Sequence, residues 1–292
     1  MTCSPLILAQ PHLLHRPAAA DPALAGVRTL DELYNAIAPI SAQMAMLPAA
    51  DQGRTRRERQ FFQHDRYYGI QRVTQQGGTA LAVGAIVTAW RLAPDGPPPL
   101  VAALIEIAGI EIGSRYPHPR AATEQDPLRR WIIGHQVFAV LMQGLIMRTA
   151  ALINPPAHHD PAADLAGLTR LFRASGAALR YTGQVHPRYY RDDIRPSMPA
   201  RFSGLMAADH HHLLQRLRVA HPILLRHADS HPAALVELRQ AWASAYADHT
   251  EVCARLVGSG TPSLLGTEHG QPAVESLEHY RRSRLSTIPE PN

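Results

Sequence analysis

Trp131-Ile-Ile-Gly-His135-Gln-Val-Phe-Ala-Val-Leu-Met-Gln-Gly-Leu-Ile-Met147 is the longest apolar stretch of the chain, and its reading decides the fold. It is nearly long enough to cross a membrane, but His135, Gln136 and Gln143 interrupt it, so it reads as a buried helix of a protein in water. Asp126-Pro127 supplies its start. The aspartate accepts a free first-turn amide, and proline at the first helical position gives up an N–H that had no partner there anyway. Asp160-Pro161 repeats the signal and Ser230-His-Pro232 is similar, which predicts helices near 127–153, 161–182, 202–226 and 231–258. Thr29-Leu-Asp-Glu32 is a capping box that opens a helix over about 30–47. The stretch 54–75, with Phe61, Phe62, Tyr67 and Tyr68, reads as another helix that breaks at Gly77-Gly78, and a last helix runs from Pro272 to about Leu285.

These signals predict a mainly α protein, a single-domain helical bundle over 29–292 around a central site. Residues 1–28, rich in Pro and Ala without periodicity, read as a loosely ordered arm. One stretch is ambiguous: Leu104-Ile-Glu-Ile-Ala-Gly-Ile-Glu-Ile112 alternates partly with period two, so a short β-hairpin near 100–113 competes with a helix. Pro97-Pro98-Pro99 ends any helix before it.

At 292 residues and 46% hydrophobic, the chain can bury a sizeable core. The net charge of +5 suggests nucleic acid at first sight, yet all 29 basic residues are arginine and they are scattered, apart from short groups such as Arg281, Arg282 and Arg284. No aromatic platform accompanies them, which argues against nucleic-acid binding. Without lysine there is no Schiff base to a pyridoxal cofactor and no P-loop. Two cysteines, Cys3 and Cys253, make no disulfide framework, and no signal-peptide pattern opens the chain. The expected setting is cytoplasmic, with no membrane partner.

Three settings stand out among 17 histidines. His249 and Cys253, in Tyr246-Ala-Asp-His249-Thr-Glu-Val-Cys253, lie one helical turn apart on one face. By spacing alone they read first as a core cysteine beside a hydrogen-bonded histidine. Zinc wants three or four protein ligands and there is no second cysteine nearby, whereas heme needs one axial histidine because the macrocycle brings four nitrogens. Asp209-His210-His211-His212 cannot converge on one ion, since successive helical side chains point about 100° apart; one of them can face inward. His135 sits among apolar residues, where a neutral imidazole needs a partner or a role.

Taken together and in order, these settings resemble the heme-dependent aromatic oxygenase superfamily, which includes tryptophan 2,3-dioxygenase and the tyrosine and 3-methyltyrosine hydroxylases. His135-Gln136-Val137-Phe138 is similar to the helix that carries the distal histidine. Tyr189-Tyr190-Arg191-Asp192-Asp193-Ile194 is similar to the segment whose arginine holds the substrate carboxylate. Tyr246-x-x-His249-x-x-x-Cys253-x-Arg255 is similar to the helix of the proximal ligand. The resemblance spans about residues 125–270. It departs from the dioxygenase at Ala139-Val-Leu-Met-Gln143 and lacks the glycine-rich loop that holds the tryptophan ammonium, for which Gly260-Thr261-Pro-Ser263 and Gly266-Thr267-Glu268-His269-Gly270 are partial substitutes. His249-x-x-x-Cys253 matches the 3-methyltyrosine hydroxylase branch.

The resemblance implies a bundle enclosing a heme, with His249 as iron ligand and a single thioether to Cys253. It implies His210 (or His211) as a second ligand at rest, His135 as the proton-transfer group, and Arg191 with Tyr190 as the substrate contacts. The implied reaction is meta-hydroxylation of L-tyrosine or 3-methyl-L-tyrosine to a catechol, with hydrogen peroxide, or dioxygen and a reductant, in natural-product biosynthesis. A homodimer is compatible with it. The alternatives are a tryptophan-directed heme oxygenase, a non-heme metal hydrolase built on Asp209 and residues 210–212, and a non-catalytic helical protein.

Overall fold

The computed structural model describes residues 6–14, 26–45, 55–74, 78–92, 98–109, 126–155, 157, 160–199, 202–262, 264 and 272–290. In chain order the elements are β1 (Leu6–Ala9), α1 (Leu30–Ala45), α2 (Arg56–Tyr67), β2 (Ile70–Val73), α3 (Gly78–Leu92), α4 (Pro98–Ala108), α5 (Pro127–Ile153), α6 (Pro161–Gly183), α7 (Ala208–Arg226), α8 (Pro232–Leu256) and α9 (Ala273–Leu285). Short helical turns, one of them π-helical over Tyr190–Ile194, join α6 to α7.

The caps act as the sequence predicts. Asp126 accepts from the Leu128 amide and Asp160 from the Ala162 amide, both at 3.0 Å. Thr29 and Glu32 form their box, and Thr55 with Glu58 forms a second one ahead of α2. At α8, Pro232 takes the first position, but His231 makes no side-chain cap.

Helix α6 packs against both α5 and α8; α5 also packs against α7, and α9 against α8. Small residues let the axes approach. A Cβ on Gly134 of α5 would stand 2.8 Å from the Thr182 Cβ of α6, and one on Gly183 of α6 would stand 2.6 Å from Val252 Cγ2 of α8. Among the described residues α5 alone has the length and composition of a membrane span, and most of it is buried inside the bundle. Its polar residues explain why it stays there. Gln136 donates to the Tyr68 carbonyl at 2.7 Å, Gln143 to the Ala9 carbonyl at 2.9 Å and to Asp209 at 3.1 Å, and His135 Nδ1 to the Trp131 carbonyl at 2.8 Å.

Three expectations change. The hairpin near 100–113 is instead helix over Pro98–Ala108, with residues 110–113 outside those described. Leu100, Val101, Ala103, Leu104 and Ile105 are buried, and α4 packs against α3 and α6, so its tertiary partners select the helix over the period-two alternative. The helix over 54–75 stops at Tyr67, where Gly69 (φ 65°) turns the chain into β2; Gly77 lies outside the described residues. Strand β2 pairs in parallel with β1, from Leu6 with Ile70 to Ala9 with Val73. The N-terminal arm is therefore a buried strand over Leu6–Ala9; residues 1–5 and 15–25 lie outside the described set.

A buried ion-pair junction joins these outer elements to the bundle. Arg72 of β2 donates Nε to Asp65 at 2.8 Å, Nη2 to Asp209 at 2.6 Å and Nη1 to the Ala9 carbonyl at 3.2 Å. It thus connects β1, β2, α2 and the first turn of α7.

Candidate active site

The helices surround a cavity that opens to solvent on one side. Most of the wall is apolar or aromatic. His135 and Trp131 enter it from α5, Phe172 from α6, His210 from α7, His249 and Cys253 from α8, and Arg284 from α9. His64 and Tyr68, at the end of α2, close one side.

The histidines are set for neutral chemistry. Burial pushes His135 down to about 3 and His210 to about 3, and it pushes His249 to about 4. The Arg284 charge adds to the shift of His210 and His249. A neutral imidazole is the form that ligates a metal. His135 shares its Nδ1 proton with the Trp131 carbonyl, which leaves Nε2 as the acceptor, and its ring stacks on Tyr68 at 4.1 Å. No hydrogen bond among the described residues engages the ring of His210 or His249. Burial raises Cys253 to about 11, which keeps it a thiol.

No group of three or more His, Cys, Asp or Glu side chains able to hold a metal ion occurs among the described residues. Asp209, which a non-heme site would need, gives both carboxylate oxygens to Arg72. Its neighbours diverge, as helical geometry requires. His210 lines the cavity, His211 packs on Phe61 with Arg57 at 3.4 Å from its Nε2, and His212 accepts from Arg216. His211 is therefore not the inward ring.

The residue expected as the carboxylate clamp does not reach the cavity. Arg191 is exposed, beside Asp192, and does not line the cavity; Tyr190 and Arg195 do. The π-helical turn accounts for this. Its i→i+5 hydrogen bond runs from the Arg195 amide to the Tyr190 carbonyl and brings these two residues to one face, where a regular helix would not. Arg284 was hidden in a basic cluster that reads as solvated surface, and His64 carried no signal beyond its place in an amphipathic segment.

Residues 7–241 match the SfmD 3-methyl-L-tyrosine peroxygenase family. The chain belongs to this family. A curated 3-methyl-L-tyrosine peroxygenase of Streptomyces lavendulae is 37% identical over 178 residues, which cover 57% of this chain and 48% of the relative. The chain thus spans about half the length of the curated relative it matches. No solved structure matches. The peroxygenase-family match contains His135, Tyr190, Arg195 and His210, and it ends ahead of His249, Cys253 and Arg284.

Proposed function

We propose that the protein is a heme-dependent peroxygenase that hydroxylates the ring of 3-methyl-L-tyrosine, or of L-tyrosine, to a catechol. The observation that carries this reading is the convergence of His249, Cys253, His210 and His135 on one cavity in a member of a peroxygenase family. The donor set fits heme. Two neutral imidazoles facing a cavity without a multi-residue metal cage suit a group that brings four nitrogens of its own.

His249 would hold the iron, with His210 as a second ligand at rest. Heme supplies the oxidising chemistry, in which a ring C–H and hydrogen peroxide become ring C–OH and water. The family's name favours peroxide over dioxygen with a reductant. His210 would be the gate, the side chain that has to leave for peroxide to enter. Cys253, one turn past His249, would be the thiol that tethers the group through one thioether, its S–H adding across a vinyl double bond with sulfur on one carbon and the proton on the other.

Arg195 replaces Arg191 as the group for the substrate carboxylate, with Tyr190 beside it, and holds the ring in place for attack. His135 offers Nε2 as acceptor to the substrate phenol or to peroxide. With its pKa near 3 it directs a proton by hydrogen bonding and stays neutral throughout.

The test supplies isotopically labelled hydrogen peroxide with 3-methyl-L-tyrosine, L-tyrosine or L-tryptophan. One labelled oxygen in a catechol product from a tyrosine is expected; labelled product from tryptophan alone would overturn the reading. Arg195→Gln should raise KM about 10-fold or more while Arg191→Ala leaves it unchanged. Heme that acid–acetone extracts freely from the native protein would remove the thioether.

A further inference from the structure

Arg284 is a cationic side chain that lines the cavity. Its Nη1 donates to Tyr246 Oη at 2.7 Å, and its guanidinium lies 4.7 Å from the Tyr280 ring centroid. No carboxylate pairs with it among the described residues, and Asp209, the acid that lines the cavity, is held by Arg72. A half-buried guanidinium with neutral partners keeps unspent capacity for a bidentate anion.

Its place along α8 says which anion. Tyr246, His249 and Cys253 share one helical face, so Tyr246 and Cys253 stand about 10.5 Å apart along the axis with His249 between them. That separation is comparable with the width of a porphyrin. In protoporphyrin the two vinyl groups and the two propionates occupy opposite edges. If Cys253 takes a vinyl group, the propionate edge lies at the Tyr246 end, where Arg284 is anchored.

We propose that Arg284, held by Tyr246, is the carboxylate site for the cofactor's propionate edge and so sets which way round the macrocycle lies, with its vinyl edge at Cys253. This rests on the heme reading above and adds to it an orientation and the residue that enforces it. Arg284 is a positioning residue for the thioether, because the vinyl group meets the thiol only in one orientation.

The test uses the full chain in a Cys253→Ser background, where heme is exchangeable, and titrates heme and its propionate dimethyl ester by optical absorbance. Arg284→Gln should weaken heme about 10- to 100-fold, while the dimethyl ester binds equally well with and without that substitution. Arg284→Lys should recover most of the loss, and Tyr246→Phe, which frees the guanidinium without removing its charge, should cost a few-fold. With Cys253 intact, the fraction of chains carrying covalent heme, read by intact mass, should fall several-fold in Arg284→Gln. Wild-type heme affinity in Arg284→Gln, or a variant that weakens 3-methyl-L-tyrosine binding in place of heme, overturns the proposal, the second result by assigning the carboxylate to the substrate. If the native chain binds neither porphyrin, the heme reading falls with it, so the two failures are told apart.

Discussion

Two histidines of the cavity, His210 and His249, stand on elements held by opposite kinds of physics. His210 follows Asp209, whose carboxylate is fixed in a buried junction with Arg72, Asp65 and Gln143. His249 stands on α8, which is set against α6 by glycines and apolar contact, and its ring has no hydrogen-bond partner among the described residues. A junction of charges holds one geometry and releases it in a step when a partner is lost. A close-packed seam yields little. On the proposed heme reading, the difference would suit a pair in which one imidazole stays on the iron and the other departs.

The largest test of that contrast is Arg72→Met. Arg72, Asp65 and Asp209 have side chains only 8%, 7% and 1% exposed, so removing the cation strands two buried carboxylates. Stability should fall by about 3–5 kcal/mol in urea denaturation. Double replacement with Asp65→Leu and Asp209→Leu should recover much of this; a loss under about 1 kcal/mol would mean the junction holds nothing in place. Gly183→Ala strikes the other anchor. The new methyl meets Val252 beside Cys253, and about 1–3 kcal/mol of destabilisation is expected, with the His249 side disturbed and the His210 side intact.

Near neutral pH the smallest effect belongs to His135, which sits in neither anchor. Its folded pKa of about 3 lies below the ordinary 6.5, so between these values the unfolded chain binds the extra proton. Its contribution is complete above about pH 6.5 and is lost as pH falls toward the folded value, with a slope of up to about 1.4 kcal/mol per pH unit. His135→Gln should flatten the stability curve between about pH 6.5 and 4. An unchanged slope would show that His135 is solvated.

What could be read from the chain and what could not divide along physical lines. Asp126-Pro127 and Asp160-Pro161 announce helices because capping is local chemistry, and α5 and α6 begin where those pairs stand. The β1–β2 pair was invisible because it joins residues more than sixty positions apart, and nothing within Leu6–Ala9 names its partner. At the site, spacing put His249 and Cys253 on one helical face but left them reading as inert core; the family resemblance singled out that pair and His210, and all three line one cavity. Arg191 lies outside the cavity because a π-helical turn brings Arg195 to the inward face, and the i→i+5 bond that does so has no motif. Arg284 looked like one more arginine on a charged helix until α9 was seen to pack on α8.

The most direct measurement is the ferric optical and electron paramagnetic resonance spectrum of His210→Ala beside His249→Ala. Two-histidine ligation predicts a low-spin native protein, a high-spin His210→Ala variant that keeps its heme, and heme loss or a lost low-spin signal in His249→Ala. A low-spin spectrum that survives unchanged in both variants would contradict the assignment.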